Sequence, residues 1–232
     1  MTEKTYNVAI NRLDMPRRFL KLPVDSRGYP VPRFVEWIDG VPDFRCVDGR
    51  WLQHAVRFNL CWLCGEPMGR YMAFVIGPMC CINRVSSEPP SHLDCARFAC
   101  KACPFLTQPK RIRNVHDLPE DGVNPGGIMI ERNPGVAALW VTESYEMFEI
   151  PNGRLFQVGE PVKIEWYARG RIATREEIMH SIDTGLPLLR DVAKKEGPEA
   201  IADLEQKITR GLALVPPPME SRPTLESLGE KQ

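Results

Sequence analysis

The chain has 232 residues, 43% hydrophobic and 26% charged, inside the range of folded globular proteins and outside that of disordered or collagen-like ones. Thirty basic side chains balance thirty acidic ones, yet residues 1–115 carry 17 basic and 10 acidic groups while 116–232 carry 13 and 20, so the two halves are electrically opposite. No apolar run approaches the ~18 residues that cross a bilayer, and the longest, Tyr71 to Cys81, is broken by Gly77-Pro78; a membrane partner is not expected.

The first residues, Met1-Thr2-Glu3-Lys4-Thr5-Tyr6-Asn7, show no basic stretch ahead of an apolar segment, so the expected location is the cytoplasm. In that reducing compartment clustered cysteines hold metal more often than they form disulfides. Prolines 16, 23, 30 and 32 forbid a long helix near the N-terminus and suit short strands and turns. Trp51, Leu52, Ala55, Val56 and Asn59 recur at helical spacing and predict a helix from Gly49 to Leu60.

Residues 59–106 hold seven of the eight cysteines. Arg70 to Ile76 reads as a strand, Gly77-Pro78 as a turn, and Ser91 as the N-cap of a helix from His92 to Cys103 that Pro104 ends. A Pro/Gly-rich stretch from Leu118 to Gly127 reads as a connector. Beyond it, residues 128–130, 136–142, 145–150, 154–158 and 162–168 read as short antiparallel strands of a meander, with a turn at Pro151-Asn152-Gly153. Thr174 and Glu177 have capping-box spacing and open a helix expected to stop at Gly185. Two further helices are expected after Pro187 and Pro198, ending near Gly197 and Gly211. From Pro216 the composition turns polar and reads as a disordered tail to residue 232.

The chemistry lies in the cysteines. Cys61-Trp62-Leu63-Cys64-Gly65 is a C-x-x-C-G turn that aims two thiolates at one point, and His92 with Cys95 puts an imidazole and a thiolate on one helical face. Together they spell C-x2-C-x27-H-x2-C, which with a strand pair between the halves is a treble-clef layout, and four N/S donors suit a structural Zn²⁺. Cys80 is the alternative to His92 as fourth ligand. Cys100 and Cys103 fit the apolar stripe of the helix and read as core, with half of a second site, shared with Cys80, Cys81 or Cys46, as the alternative. His54, His116 and His180 read as surface or packing residues, and Trp37, Trp51, Trp140 and Trp166 as core. Trp62 is the exception, expected to point outward with Arg70, Arg84, Arg97 and Lys101 towards a nucleic acid or a host protein.

No catalytic residue is assigned. A zinc deaminase needs a His/Cys-x-Glu element paired with Pro-Cys-x-x-Cys; here Cys61 follows Leu60 and none of the four histidines stands in His-x-Glu, so the match fails. An HNH-like nuclease needs a general-base histidine and groups for a phosphate-bridging cation; Asn83, Arg84, Glu88 and His92 have those chemical types without a matching spacing.

Arg27-Gly28-Tyr29-Pro30-Val31-Pro32, Ala73-Phe74-Val75-Ile76-Gly77-Pro78-Met79-Cys80 and Glu88-Pro89-Pro90-Ser91-His92-Leu93-Asp94-Cys95-Ala96, with the Cys61–Gly65 turn, resemble a group of cysteine-rich proteins encoded by bacteriophages and prophages. Gly170-Arg171-Ile172-Ala173-Thr174-Arg175 and Gly185-Leu186-Pro187 extend the resemblance into the second half. It implies a viral or prophage origin and a bacterial host cytoplasm, and no mechanism.

The expected fold is α+β: a zinc-stapled domain over 1–115 with its finger at about 59–106, a linker at 116–127, a β-meander with three helices over 128–215, and the tail. The expected function is a non-enzymatic zinc-binding protein contacting nucleic acid or a host protein. The rivals are the metal-dependent nuclease and an assembly protein whose zinc only holds the fold.

Overall fold

The computed structural model describes residues 4–110, 126–127 and 132–218. The linker residues 116–125, the strand expected at 128–130, His116 and tail residues 219–232 lie outside the described residues.

The Pro-rich start forms a 3-10 turn at Arg17–Lys21 and an antiparallel hairpin of β1 (Val35–Ile38) and β2 (Val41–Val47). Asp39 (φ 48°) and Gly40 (φ 79°) make the hairpin turn, both left-handed as a two-residue turn of this hand requires. Helix α1 (Gly49–Arg57) starts at Asp48, whose carboxylate accepts from the Arg50 and Trp51 amides at 2.9 and 3.2 Å. It ends three residues before the expected Leu60, because Asn59 turns left-handed (φ 49°) and aims the chain at Cys61.

Next come β3 (Met72–Ile76), α2 (Pro78–Asn83), β4 (Val85–Ser86), α3 (Leu93–Ala102) and α4 (Pro104–Thr107). The second half supplies β5 (Ala137–Thr142), β6 (Tyr145–Ile150), β7 (Gly153–Val158), β8 (Pro161–Ala168), β9 (Arg171–Ile172), α5 (Arg175–Glu196) and α6 (Pro198–Leu212). The molecule is thus a mixed α/β fold with antiparallel sheets and C-terminal helices.

The second-half strands do not form a consecutive meander. The β6–β7 hairpin pairs with β4, while β5 lies between β3 and β8 in the order β3-β5-β8-β9. All six residues of β5 are buried, which marks it as a central strand needing neighbours on both sides. Strands β3 and β4, from the first half, therefore pair across the 116–127 stretch with β5 and β7. The main core follows the same plan: Phe74, Cys81 and Ile82 pack with Trp140, Phe156, Trp166, Ile178, Ile182, Leu204 and Ile208.

The expected three C-terminal helices are two. Helix α5 opens with the Thr174/Glu177 capping box and runs through Gly185 and Pro187 to Glu196. Gly185 is a contact rather than a stop: a Cβ there would lie 2.9 Å from Met79 Sδ on α2. Gly211 plays the same part within α6, where a Cβ would lie 2.8 Å from Ile82 Cγ1. The Gly77-Pro78 pair, expected as a turn, starts α2, since proline at the first helical position loses no hydrogen bond. Among the described residues no helix is long and apolar enough to cross a membrane.

Candidate metal centre

The first pair of candidate ligands sits on a knuckle closed by its own backbone. The Cys61 amide donates to the Glu66 carbonyl (2.8 Å), the Gly65 amide to the Cys61 carbonyl (2.9 Å), and the Cys64 amide points at Cys61 Sγ (3.5 Å). Gly65 needs its φ of 82°, and a Cβ there would lie 3.1 Å from Arg33 Cγ and 3.2 Å from the Trp51 ring. No larger residue fits that turn without moving both neighbours.

The second pair enters from α3. Ala73 and Ser91 exchange amide-to-carbonyl bonds of 2.8 Å in both directions, so Ser91 is held by β3 and does not cap the helix. His92 takes the cap position instead, and its amide donates to Cys61 Sγ at 3.4 Å. Its Nδ1 lies 3.4 Å from Cys64 Sγ and 3.9 Å from Cys95 Sγ. Its Nε2 lies 2.9 Å from the Pro67 carbonyl. A carbonyl only accepts, so Nε2 carries a proton, and Nδ1 is the ring nitrogen that faces the thiols.

One ligand atom from each of Cys61, Cys64, His92 and Cys95 lies within 4.8 Å of the other three. A tetrahedral ion at ordinary zinc bond lengths sets its ligand atoms about 3.5–3.8 Å apart. The donor set fits such an ion. Cys61 and Cys95 are fully buried, Cys64 is 9% exposed and His92 is half-buried, within a small apolar cluster that includes Ile10, Phe19, Leu22, Leu63 and Phe98. Arg18 clamps the two halves from outside, bonding Glu66 after the knuckle (3.1 Å) and Asp94 on the first turn of α3 (2.7 Å).

The electrostatics invite a cation. Hydrogen bonds from Cys64, then Cys95 and His92, hold the Cys61 thiol far below the usual thiol range. Cys95 moves the opposite way, far above it, because it is the partner that keeps its proton for Cys61 and Cys64. Hydrogen bonds to Cys61 and Cys64 push His92 up to about 10. One thiolate is welcome here and a second beside it is opposed; a divalent ion relieves that repulsion.

Among the described residues no other group of three or more such side chains converges. Cys80 is on α2, apart from the cluster, and does not replace His92. Cys100 is a core residue packed with Ala73, Ala96, Leu139, Val141 and Tyr167, where burial pushes its thiol up to about 12. None of the eight cysteines is in a disulfide. The strand pair expected between the ligand halves is also absent: β3 and β4 belong to different sheets and do not pair with each other. Both were claimed by strands of the second half, which a reading of the finger alone does not contain.

The expected contact surface needs correction. Trp62 does not point outward; it is 2% exposed and stacks on Phe34 with centroids 5.0 Å apart and planes 7° apart. Arg70 pairs with Glu143 (2.9 Å), Arg84 with Glu160 (2.6 Å), and Arg97 with Glu165. The three arginines are thus neutralised by acidic groups of the second half, while Lys101 is exposed. As for the nuclease reading, both ring nitrogens of His92 are engaged, one facing the thiols and one the Pro67 carbonyl, so neither is available as a general base. The sequence reading also missed a row of rings along α1 and its C-cap: half-buried Trp51, exposed His54 and exposed Phe58. The available signal is their i, i+3, i+7 spacing, whereas taken singly Trp51 reads as core and His54 as a surface or packing residue. No protein family, curated protein or solved structure matches the chain.

Proposed function

We propose that the chain is a non-enzymatic binding protein whose first half is stapled by one structural Zn²⁺. The observation that carries this reading is the convergence of Cys61, Cys64, His92 and Cys95 within 4.8 Å, with the outer nitrogen of His92 tied to Pro67. Three thiolates and an imidazole are the donors of closed zinc sites, which leave no position for a reacting water. Zinc supplies there a fixed positive charge and a cross-link between the knuckle and α3.

The need for such a link is visible in the surroundings. The cluster around the ligands is small, and the segments feeding it, residues 6–34, hold only a 3-10 turn and loops. Structural zinc contributes about 10–16 kcal/mol of apparent binding free energy in small modules, enough to decide whether a segment of this kind orders. The grip resembles the knuckle and helix start of a treble clef without its intervening hairpin. Three of the arginines first expected at a ligand are paired internally, so the binding surface on this reading lies elsewhere on the stapled half.

Elemental analysis of the purified protein should give one zinc per chain, and Co²⁺ exchange should give the absorption of a tetrahedral thiolate site. Cys61→Ser and His92→Ala should each lose the metal and lower the melting temperature, while Cys80→Ser and Cys100→Ser retain it. Metal-free wild-type protein with an unchanged melting temperature on adding zinc, or full zinc content in Cys61→Ser, would overturn the proposal.

A further inference from the structure

Helix α1 carries, against the metal knuckle, a row of rings that the metal centre does not use. Trp51, His54 and Phe58 share one face of the helix, with centroids 5.4 Å apart from Trp51 to His54 and 4.7 Å from His54 to Phe58. A guanidinium lies over each end: Arg33 Cζ is 5.1 Å from the Trp51 centroid and Arg57 Cζ 5.3 Å from the Phe58 centroid. Phe58 is 53% exposed, and His54, Arg33 and Arg57 are exposed. The helix is packed through buried Ala55, which adjoins this row on the Trp51 side, and through Leu52 and Val56 on the far side against the main core.

The charge of this strip has one sign. Helix α1 contains Arg50, His54 and Arg57 and no acidic residue. Asp48, next to it, is occupied by the helix amides and by Arg50. Neither Arg33 nor Arg57 forms an ion pair among the described residues, unlike Arg70, Arg84 and Arg97. The metal knuckle sets the geometry. The Arg33 amide donates to the Leu63 carbonyl (2.9 Å), Gly65 packs under Arg33 and Trp51, and the Met68 amide donates to Asn59 beside Phe58 (2.9 Å).

The exposed rings of His54 and Phe58, flanked by guanidinium groups that have no ion pair among the described residues, complement a ligand that alternates flat apolar faces with anions. Single-stranded nucleic acid has that pattern, and a duplex hides the faces of its bases. From His54 to Phe58 the chain rises about 6 Å, room for about two stacked nucleotides. A guanidinium is also flat enough to stack on a base while bonding a phosphate. We infer that this face of α1 binds single-stranded nucleic acid, with His54 and Phe58 against bases, Arg33 and Arg57 on phosphates, and half-buried Trp51 holding Arg33 in place. The inference rests on the structural-zinc reading, because the knuckle registers Arg33 and Trp51.

The test uses the full-length, zinc-loaded protein and labelled oligothymidylate and oligouridylate, read by fluorescence anisotropy. Binding should weaken with salt, with a log–log slope of about −1.4 if two phosphates are neutralised. Phe58→Ala, an exposed position, should weaken binding about tenfold, and Arg33→Ala/Arg57→Ala should flatten the salt slope. Zinc content and circular dichroism of each variant show whether it is folded. A folded, zinc-loaded protein that ignores both oligonucleotides, or variants that bind as wild type does, would overturn the inference and leave the structural-zinc reading standing. Equal affinity for duplex, or displacement of the oligonucleotide by an acidic peptide that binds more tightly through the same arginines, would overturn it in favour of another ligand. Failure of the metal analysis would instead sink the zinc reading, whatever the oligonucleotides do.

Discussion

Trp62 occupies the first x of the Cys61-x-x-Cys64 turn, a place from which a side chain can reach solvent, and instead closes the space between the knuckle and Phe34. Its amide donates to the Pro90 carbonyl at 3.1 Å, which ties the knuckle to the segment that enters α3. The indole N–H, however, is buried without a hydrogen-bond partner among the described residues. Packing is therefore its contribution, and the polar atom is a cost. Trp62→Ala should destabilise the zinc-loaded protein by about 3–5 kcal/mol through loss of a buried ring. Trp62→Phe keeps the stack and removes the orphan donor, so it should cost no more than about 1 kcal/mol. Chemical denaturation of both variants, with zinc content followed, checks the pair. A Phe variant as unstable as the Ala variant would mean that the N–H is used.

At the scale of elements, chain punctuation was the least legible feature. The Asp48 cap of α1 and the Thr174/Glu177 box of α5 act locally, through side chains that bond amides two or three residues away, but only the capping box was read from sequence. Gly185-x-Pro187 was misread because a glycine and a proline look alike whether they end a helix or serve something outside it. Here Gly185 makes room for Met79, and Pro187 lies on the exposed face of a continuous α5, where its ring has no packing role. Proline inside a helix forfeits the bond to the carbonyl four residues back, here that of Asp183. Pro187→Ala should therefore stabilise the protein by about 1–2 kcal/mol, the helix gain less the entropy that proline removes from the unfolded chain. If α5 were two helices with Pro187 opening the second, the same change would destabilise. A urea midpoint decides between the signs.

Across the whole molecule, the opposite charges of the halves find each other. Arg70, Arg84 and Arg97 reach Glu143, Glu160 and Glu165, alongside the sheet in which β3 joins β5 and β8. The four candidate metal ligands were legible because residue type and spacing within two short segments define them. The pairing of arginines was not, since each partner lies more than sixty positions away, Glu143 and Glu160 in the connections between strands and Glu165 on β8, and the α1 strip was hidden because Arg33 joins it from another segment. Glu165 is the most enclosed of these acceptors, its side chain 10% exposed. It meets Arg97, Lys163 at 2.9 Å and the Tyr167 hydroxyl at 2.9 Å. The hydrogen bond from Arg97, foremost, lowers its carboxyl from 4.5 to about 2. Because the folded value lies below the unfolded one, the stabilisation is complete above about pH 4.5 and fades as pH falls towards 2. Acid also threatens the thiolate ligands, so wild type must be compared with Glu165→Gln at each pH, where loss of metal affects both alike. The stability gap between the two should be constant above pH 4.5 and shrink below it; a gap that does not change with pH would show that the carboxylate charge does not hold α3 to β8.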